Sequence, residues 1–313
     1  MSQMRKDPFT DTWVIFAQAR HGRPREFSCI TKKQSTSLCP FCPGNEKETT
    51  QTIWQNHPDH TWNIRVFENL YPIVDQSPEI TEKESFYAQK CGKGHHEVIV
   101  DTPDHNGCIE NFTVEHLAEL FSVLAQRMRN IAKSPESAYI QVFKNNGPMA
   151  GMSLVHSHWQ LISLPVIPER ISHLAEKAEG NCLFCEMLAY EQDKKIRMIQ
   201  ENENFAALCP YASSFPYETA FYSKRHVPSF IDFSEKELRD LAALMLPILQ
   251  KTAELSKDGC SYNICFFEQP KGRDFHWHAA IYPRLNGIAG LECATGTMVN
   301  YILPEEAAEY FRK

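Results

Sequence analysis

Apolar side chains recur at helical spacing in Leu117, Leu120, Phe121, Leu124, Met128 and Ile131, with Thr113 standing where such a helix would open. The pattern returns in Leu238, Leu241, Leu244, Met245 and Ile248, behind Ser234 and Glu237 at the spacing of a capping box. Pro247 predicts a kink in this second helix. Around the helices the pattern shortens to β-rich runs. Residues 95–101 precede the first helix and 139–143 follow it; 217–222 precede the second and 262–266 follow it.

The order of these features is the same twice. Each half opens on a Cys-x-x-Cys, Cys39/Cys42 and then Cys182/Cys185. A lone histidine follows the first run, His105 and then His226. After the helix and the second run comes a His-x-His, His156/His158 and then His276/His278. The chain reads as a duplicated α+β unit, with antiparallel strands and one long helix per half, dividing into residues 1–170 and 171–313. The halves are not equivalent. Gln160 follows His158 by two, whereas Ala280 stands in that place after His278. The first half carries the reactive set, and the second keeps the scaffold.

On a strand, alternate residues share a face, so His156, His158 and Gln160 are expected to converge. They follow Asn145-Asn146-Gly147, a small-residue loop expected to offer free backbone N–H groups. Imidazole can attack phosphorus or carry a proton near neutral pH. A carboxamide can donate to a phosphoryl oxygen without adding charge. The set suits a phosphate ester. Lys144 borders the loop, where it is either a phosphate ligand or a strand-edge lysine; His57, His60, His95 and His96 are assigned to structure or surface.

Composition narrows the class. The 313 residues are 42% apolar and 23% charged, the balance of a globular chain. A net charge of −7 argues against a nucleic-acid partner. No apolar run approaches the roughly 20 residues of a membrane span, and the polar first residues lack the apolar stretch of a secretory leader. A cytoplasmic protein is expected. Eleven cysteines, four of them in Cys-x-x-Cys pairs, then favour metal ligation over disulfides.

His156-Ser157-His158-Trp159-Gln160 resembles the His-x-His-x-Gln motif of the galactose-1-phosphate uridylyltransferase branch of the histidine-triad superfamily. The likeness extends through residues 39–45, the Pro103-Asp104-His105 turn and His276-Trp277-His278. Residues 68–72, with Gly290-Leu291-Glu292 and Thr295-Gly296, resemble the ADP-glucose phosphorylase branch. The resemblance implies a homodimer and ping-pong nucleotidyl transfer between nucleotide sugars and sugar 1-phosphates or phosphate, through a nucleotidyl-His158 adduct steadied by Gln160. It implies contacts from Asn145 and Ser153 to the nucleotide phosphates, from Asn69 to the nucleoside and from Glu292 to the hexose. Arg20 and Arg23 resemble a segment near the substrate phosphates; a solvated basic loop is the other reading. It also implies Zn²⁺ on Cys39, Cys42, His105 and His156, and a second on Cys182, Cys185, His226 and His276.

The far nitrogen of His158 needs an acceptor, for which a carbonyl of the 145–152 loop is the candidate. Leu70 stands where the uridylyltransferases carry an acidic residue, and Asn286 and Met298 lie near their hexose-binding Lys and Gln. These departures lean toward adenylyl transfer from an ADP-sugar to phosphate; UDP-glucose with galactose 1-phosphate is the commoner family reaction. A dinucleoside polyphosphate phosphorylase uses a similar motif. A zinc-ribbon-like binding module is the reading from another class, and it gives Gln160 no purpose.

Overall fold

The computed structural model describes residues 2–22, 39–57, 62–76, 86–257 and 259–313. In chain order the strands are β1 Gln3–Lys6, β2 Trp13–Phe16, β3 Thr52–Gln55, β4 Arg65–Glu68, β5 His96–Val100, β6 Tyr139–Asn146, β7 His158–Leu164, β8 Met198–Glu201, β9 Phe205–Leu208, β10 Thr219–Ser223, β11 Tyr262–Phe267, β12 His278–Pro283 and β13 Met298–Asn300. The helices are α1 Val114–Ile131, α2 Glu169–Ala178, α3 Leu183–Lys194, α4 Glu235–Ala253, α5 Gly290–Thr295 and α6 Pro304–Arg312.

Ten strands form one sheet in the order β3-β4-β5-β7-β6-β11-β12-β10-β9-β8, antiparallel at every junction. The order is a palindrome, with β6 matching β11, β7 matching β12 and β5 matching β10. The two α+β units therefore join edge to edge through β6 and β11, and neither leaves its inner edge strand unpaired. β1, β2 and β13 make a separate small sheet.

Both long helices pack on the same face. Leu117, Leu120, Phe121, Leu124 and Met128 of α1, and Leu238, Leu241, Leu244, Met245 and Ile248 of α4, share one core with Trp159, Leu161, Phe266, Trp277 and Ile281. Each such Leu or Phe contributes about 2 kcal/mol on burial, so the periodicity outweighs any local propensity. The caps stand where the sequence puts them: Thr113 Oγ1 accepts from the His116 amide at 3.1 Å, and Ser234 and Glu237 close a capping box. α4 continues through Pro247.

Beside the one long helix of each half, the chain builds shorter helices. α2 and α3 lie on the opposite face of the second half, where Ile171, Leu174, Phe184 and Leu188 pack on Ala220, Tyr222, Phe267 and Ala280. The matching face of the first half carries a smaller cluster of Cys39, Phe41, Cys42, Trp62, Phe67, Val98 and Val100. This difference in cover decides which half has an accessible site.

Two buried carboxyls leave a measurable trace. Glu268 accepts from Ser229 Oγ at 2.6 Å and the Phe230 amide at 2.7 Å, and burial pushes its pKa up to about 8. Burial likewise pushes Glu218 up to about 7. Both hold a proton in the native state that the unfolded chain releases above the ordinary glutamate range. Stability should therefore fall as pH rises toward 8. Urea midpoints of metal-loaded protein at pH 6 and pH 9 should differ, and Glu268→Gln should remove much of that difference.

Candidate active site and metal centres

β7 begins at His158, and its register with β5 sets His158 opposite Val100 and Gln160 opposite Val98. His158 and Gln160 thus share the face away from the long helices. They line a cleft of about 790 Å³ with Asn69, Leu70, Tyr71, Ser153, Phe41 and Lys47. His158 Nδ1 donates to the His156 carbonyl at 2.8 Å. The neutral ring therefore presents Nε2 as its lone pair, and among the described residues no side chain engages that atom. Burial holds the pKa of His158 down to about 4, so the ring is neutral near pH 7.

The acceptor that sets this tautomer is the His156 carbonyl, not one from the 145–152 loop. Three of that loop's N–H groups are spent within it. The amides of Ala150, Gly151 and Met152 bond to the carbonyls of Gly147 and Pro148. Gly147 turns the chain at φ +83°, with the Ser261 hydroxyl 2.2 Å from where a Cβ would stand, so only glycine fits. Asn145 accepts from Asn263 Nδ2 at 2.8 Å and is not among the residues lining the cleft. Lys144 points to the helix side. It is 1% exposed and ion-paired to Asp101 at 2.9 Å, and it donates to Ser157 Oγ at 2.6 Å. A lysine so placed cannot reach a phosphate in the cleft.

Other expected contacts scatter. Glu292 caps α5, its carboxylate accepting from the Ala289 amide at 3.1 Å, and Arg20 is exposed on a short turn; neither lines the cleft. Arg23 and His60 lie outside the described residues. Met298 lines a separate cleft of about 910 Å³ with Arg170, Asn263, Tyr282 and Arg284. One residue set aside as structural belongs to the site: His96 Nε2 lies 2.9 Å from Gln160 Oε1 and 3.1 Å from Asn69 Nδ2. Only the pairing of β5 with β7 brings it there.

Two Cys/His groups could each hold a metal ion. In Cys39, Cys42, His105 and His156 the ligand atoms all lie within 4.8 Å of one another, as they do in Cys182, Cys185, His226 and His276. Sulfur-to-Nδ1 separations run from 3.4 to 3.6 Å in both. A tetrahedral ion with bonds of about 2.3 Å to sulfur and 2.0 Å to nitrogen has S···N edges of about 3.5 Å, so the residues fit. Three of the four far ring nitrogens are anchored in the manner of metal-bound imidazoles, while His105 Nε2 is buried without a hydrogen-bond partner among the described residues. His156 Nε2 donates to the Thr102 carbonyl at 2.7 Å, His276 Nε2 to the Ser223 carbonyl at 2.9 Å, and His226 Nε2 reaches Asp274 at 3.0 Å.

The second His-x-His is closed. His278 Nδ1 donates to the His276 carbonyl at 2.9 Å, repeating the first half. Its ring, however, stacks on Phe267 at 4.5 Å and Tyr222 at 5.4 Å, with Phe184 at 5.1 Å and Phe9 stacked on Phe184. The space beside it is about 70 Å³, against the roughly 300 Å³ or more of a small-molecule pocket.

Residues 1–168 match the model of the galactose-1-phosphate uridyl transferase N-terminal domain, and residues 169–289 match its C-terminal domain. The chain belongs to this family. It is 32% identical to an ADP-glucose phosphorylase of Arabidopsis thaliana, over 99% of this chain and 92% of the relative. It is 29% identical to a galactose-1-phosphate uridylyltransferase of Thermotoga maritima, over 100% and 98%. The crystal structure of an Arabidopsis thaliana ADP-glucose phosphorylase with bound ADP-glucose superposes with a TM-score of 0.84 at 31% identity, covering 100% of this chain and 99% of that one. Like these family members it is a mixed α/β protein of duplicated architecture. Among the described residues no helix is long and apolar enough to cross a membrane.

Proposed function

We propose that this family member is a nucleotidyltransferase that moves a nucleoside monophosphate from a nucleotide sugar to a phosphate-bearing acceptor through a covalent adduct on His158. The observation that carries the reading is the His158 ring, which lines an open cleft with Nδ1 tied to a backbone carbonyl and Nε2 left unengaged. Nε2 attacks the α-phosphorus, the P–N bond forms, and the bond from phosphorus to the bridging oxygen breaks, releasing sugar 1-phosphate. A phosphate oxygen of the acceptor then attacks the same phosphorus and the P–N bond breaks. A neutral nucleophile avoids the repulsion that a phosphate dianion meets at a charged phosphoryl group. The Gln160 amide donates to the phosphoryl oxygen as charge builds there.

Cys39, Cys42, His105 and His156 would hold Zn²⁺, as would Cys182, Cys185, His226 and His276. The ion would supply rigidity, fixing His156 and hence the carbonyl that orients His158. Asn69 and Ser153 line the nucleotide cleft, and Asn145, Glu292, Arg20 and Arg23 belong to the substrate reading if a second subunit completes the site, as expected for a homodimer. Residues 1–170 then form the active half.

Two donors remain in view. ADP-glucose with phosphate is supported by the apolar Leu70 at the cleft and by the Arabidopsis relative. UDP-glucose with galactose 1-phosphate is supported by the family model and the Thermotoga relative. Release of glucose 1-phosphate from each donor, assayed with each acceptor, separates them; release from neither donor would overturn the reading. His278→Ala gives an internal control. It should keep turnover within about threefold while costing about 2–4 kcal/mol of stability through a cavity. Turnover losses equal to those of His158→Ala would contradict the assignment of the active half.

A further inference from the structure

We propose that His96 is a positioning residue for this transfer: it locks the Gln160 carboxamide with its NH₂ group turned to the nucleotide. The inference rests on the His158 reading above. It begins with sheet register. β5 pairs with β7 so that His96 lies opposite Ile162 and diagonal to Gln160, on the cleft face. Its Nε2 then meets Gln160 Oε1 at 2.9 Å, and its Nδ1 meets the Ile73 amide at 3.2 Å.

A neutral imidazole carries one N–H. The Ile73 amide is a backbone donor that cannot turn away, so Nδ1 must be the acceptor and Nε2 must bear the proton. That N–H donates to Gln160 Oε1. The opposite end of the amide, its two donors, is thereby directed away from His96 and toward the cleft that Gln160 lines. The Asn69 carboxamide is held separately: its Oδ1 accepts from the Tyr71 amide at 2.8 Å, which leaves its NH₂ 3.1 Å from His96 Nε2, a donor beside a donor that makes no hydrogen bond in this tautomer.

Without His96 the Gln160 amide has two orientations of similar size, and one of them sets oxygen against the phosphoryl oxygen. His96 removes the repulsive one before substrate arrives. The backbone of residue 96, retained in any variant, holds the loop that brings Leu70 and Tyr71 to the cleft, its carbonyl accepting from the Asn69 amide at 2.7 Å.

The test uses His96→Leu, which lacks both ring nitrogens, and His96→Gln, whose amide nitrogen falls near the place of Nε2. His96→Leu should lower kcat on the order of 10- to 100-fold, with KM for the nucleotide sugar within about threefold and bound metal unchanged. His96→Gln should recover most of the loss. Wild-type kcat in His96→Leu, or no recovery in His96→Gln, overturns the proposal. Long-range ¹H–¹⁵N spectra of the wild-type protein test it without any variant: the His96 proton must reside on Nε2, and a proton on Nδ1 overturns it. The underlying reading fails separately. If wild-type protein never acquires a nucleotidyl group, both fall; if it does, and His96→Leu acquires one equally fast, only the role of His96 falls.

Discussion

His158→Ala is expected to lower turnover by at least about four orders of magnitude, the usual cost of deleting a covalent nucleophile, while the protein stays folded and keeps its metal. The stability side follows from placement. The ring is at the start of β7 on the cleft face, and the core beneath it is formed by Trp159 and Leu161 on the other face. Its single hydrogen bond is to the carbonyl of His156, two residues away. Deleting it removes the nitrogen that attacks and little of the packing. Circular dichroism and bound-metal content should match wild type, and both half-reactions should be lost together. A variant that kept overall turnover within about 100-fold of wild type without forming any adduct would point to a direct displacement in which His158 is an acid or base.

Cys39→Ser should show the second large effect, in the opposite balance. Bound metal should fall by one ion per chain, since the second set is far away in sequence and complete by itself. The melting temperature should drop on the order of 10 °C, because metal binding is folding free energy wherever the apo ligands are not otherwise held. Turnover should fall about 10- to 100-fold as well. The route is short: a metal on the first set would hold His156 Nδ1, the Thr102 carbonyl holds its Nε2, and the His156 carbonyl holds His158. Phe41, between the two cysteines, stands edge-on to the His158 ring at 5.2 Å and lines the cleft. Elemental analysis, a thermal melt and kcat on one preparation check all three; unchanged metal content would contradict the ligand assignment.

What the sequence revealed and what it hid divides along physical lines. α1 and α4 were legible because helical periodicity is local, and their caps because Thr113, Ser234 and Glu237 act within one turn. The duplication was legible because Cys-x-x-Cys, lone His and His-x-His recur in one order. It now appears as a palindromic sheet joined at β6 and β11. α2 and α3 escaped notice; α3 buries only Phe184, Leu188 and Glu191, too few for a clear stripe.

The candidate site was legible in the placement of His158 and Gln160 on one strand face and in the grouping of each cysteine pair with two histidines. Hidden were the partners set by register between distant strands. His96 was set aside as surface or structure, although strand pairing brings it to Gln160 across 64 residues of sequence. For Lys144 the sequence offers either a phosphate ligand or a strand-edge lysine, and alternation along β6 sends it to the helix face instead, to pair with Asp101. The loop after Asn145 reads as a source of free amides, yet a short turn consumes those of Ala150, Gly151 and Met152. In each case the residue type was informative and its direction was not.

The most direct measurement is the intact mass of the protein after mixing with ADP-glucose or UDP-glucose in the absence of acceptor. The account predicts a gain equal to one nucleoside monophosphate from one of the two, located on His158, discharged by adding phosphate or sugar 1-phosphate, and missing in His158→Ala. A protein that turns over nucleotide sugars with no such gain, or with the group on any other residue, would contradict it.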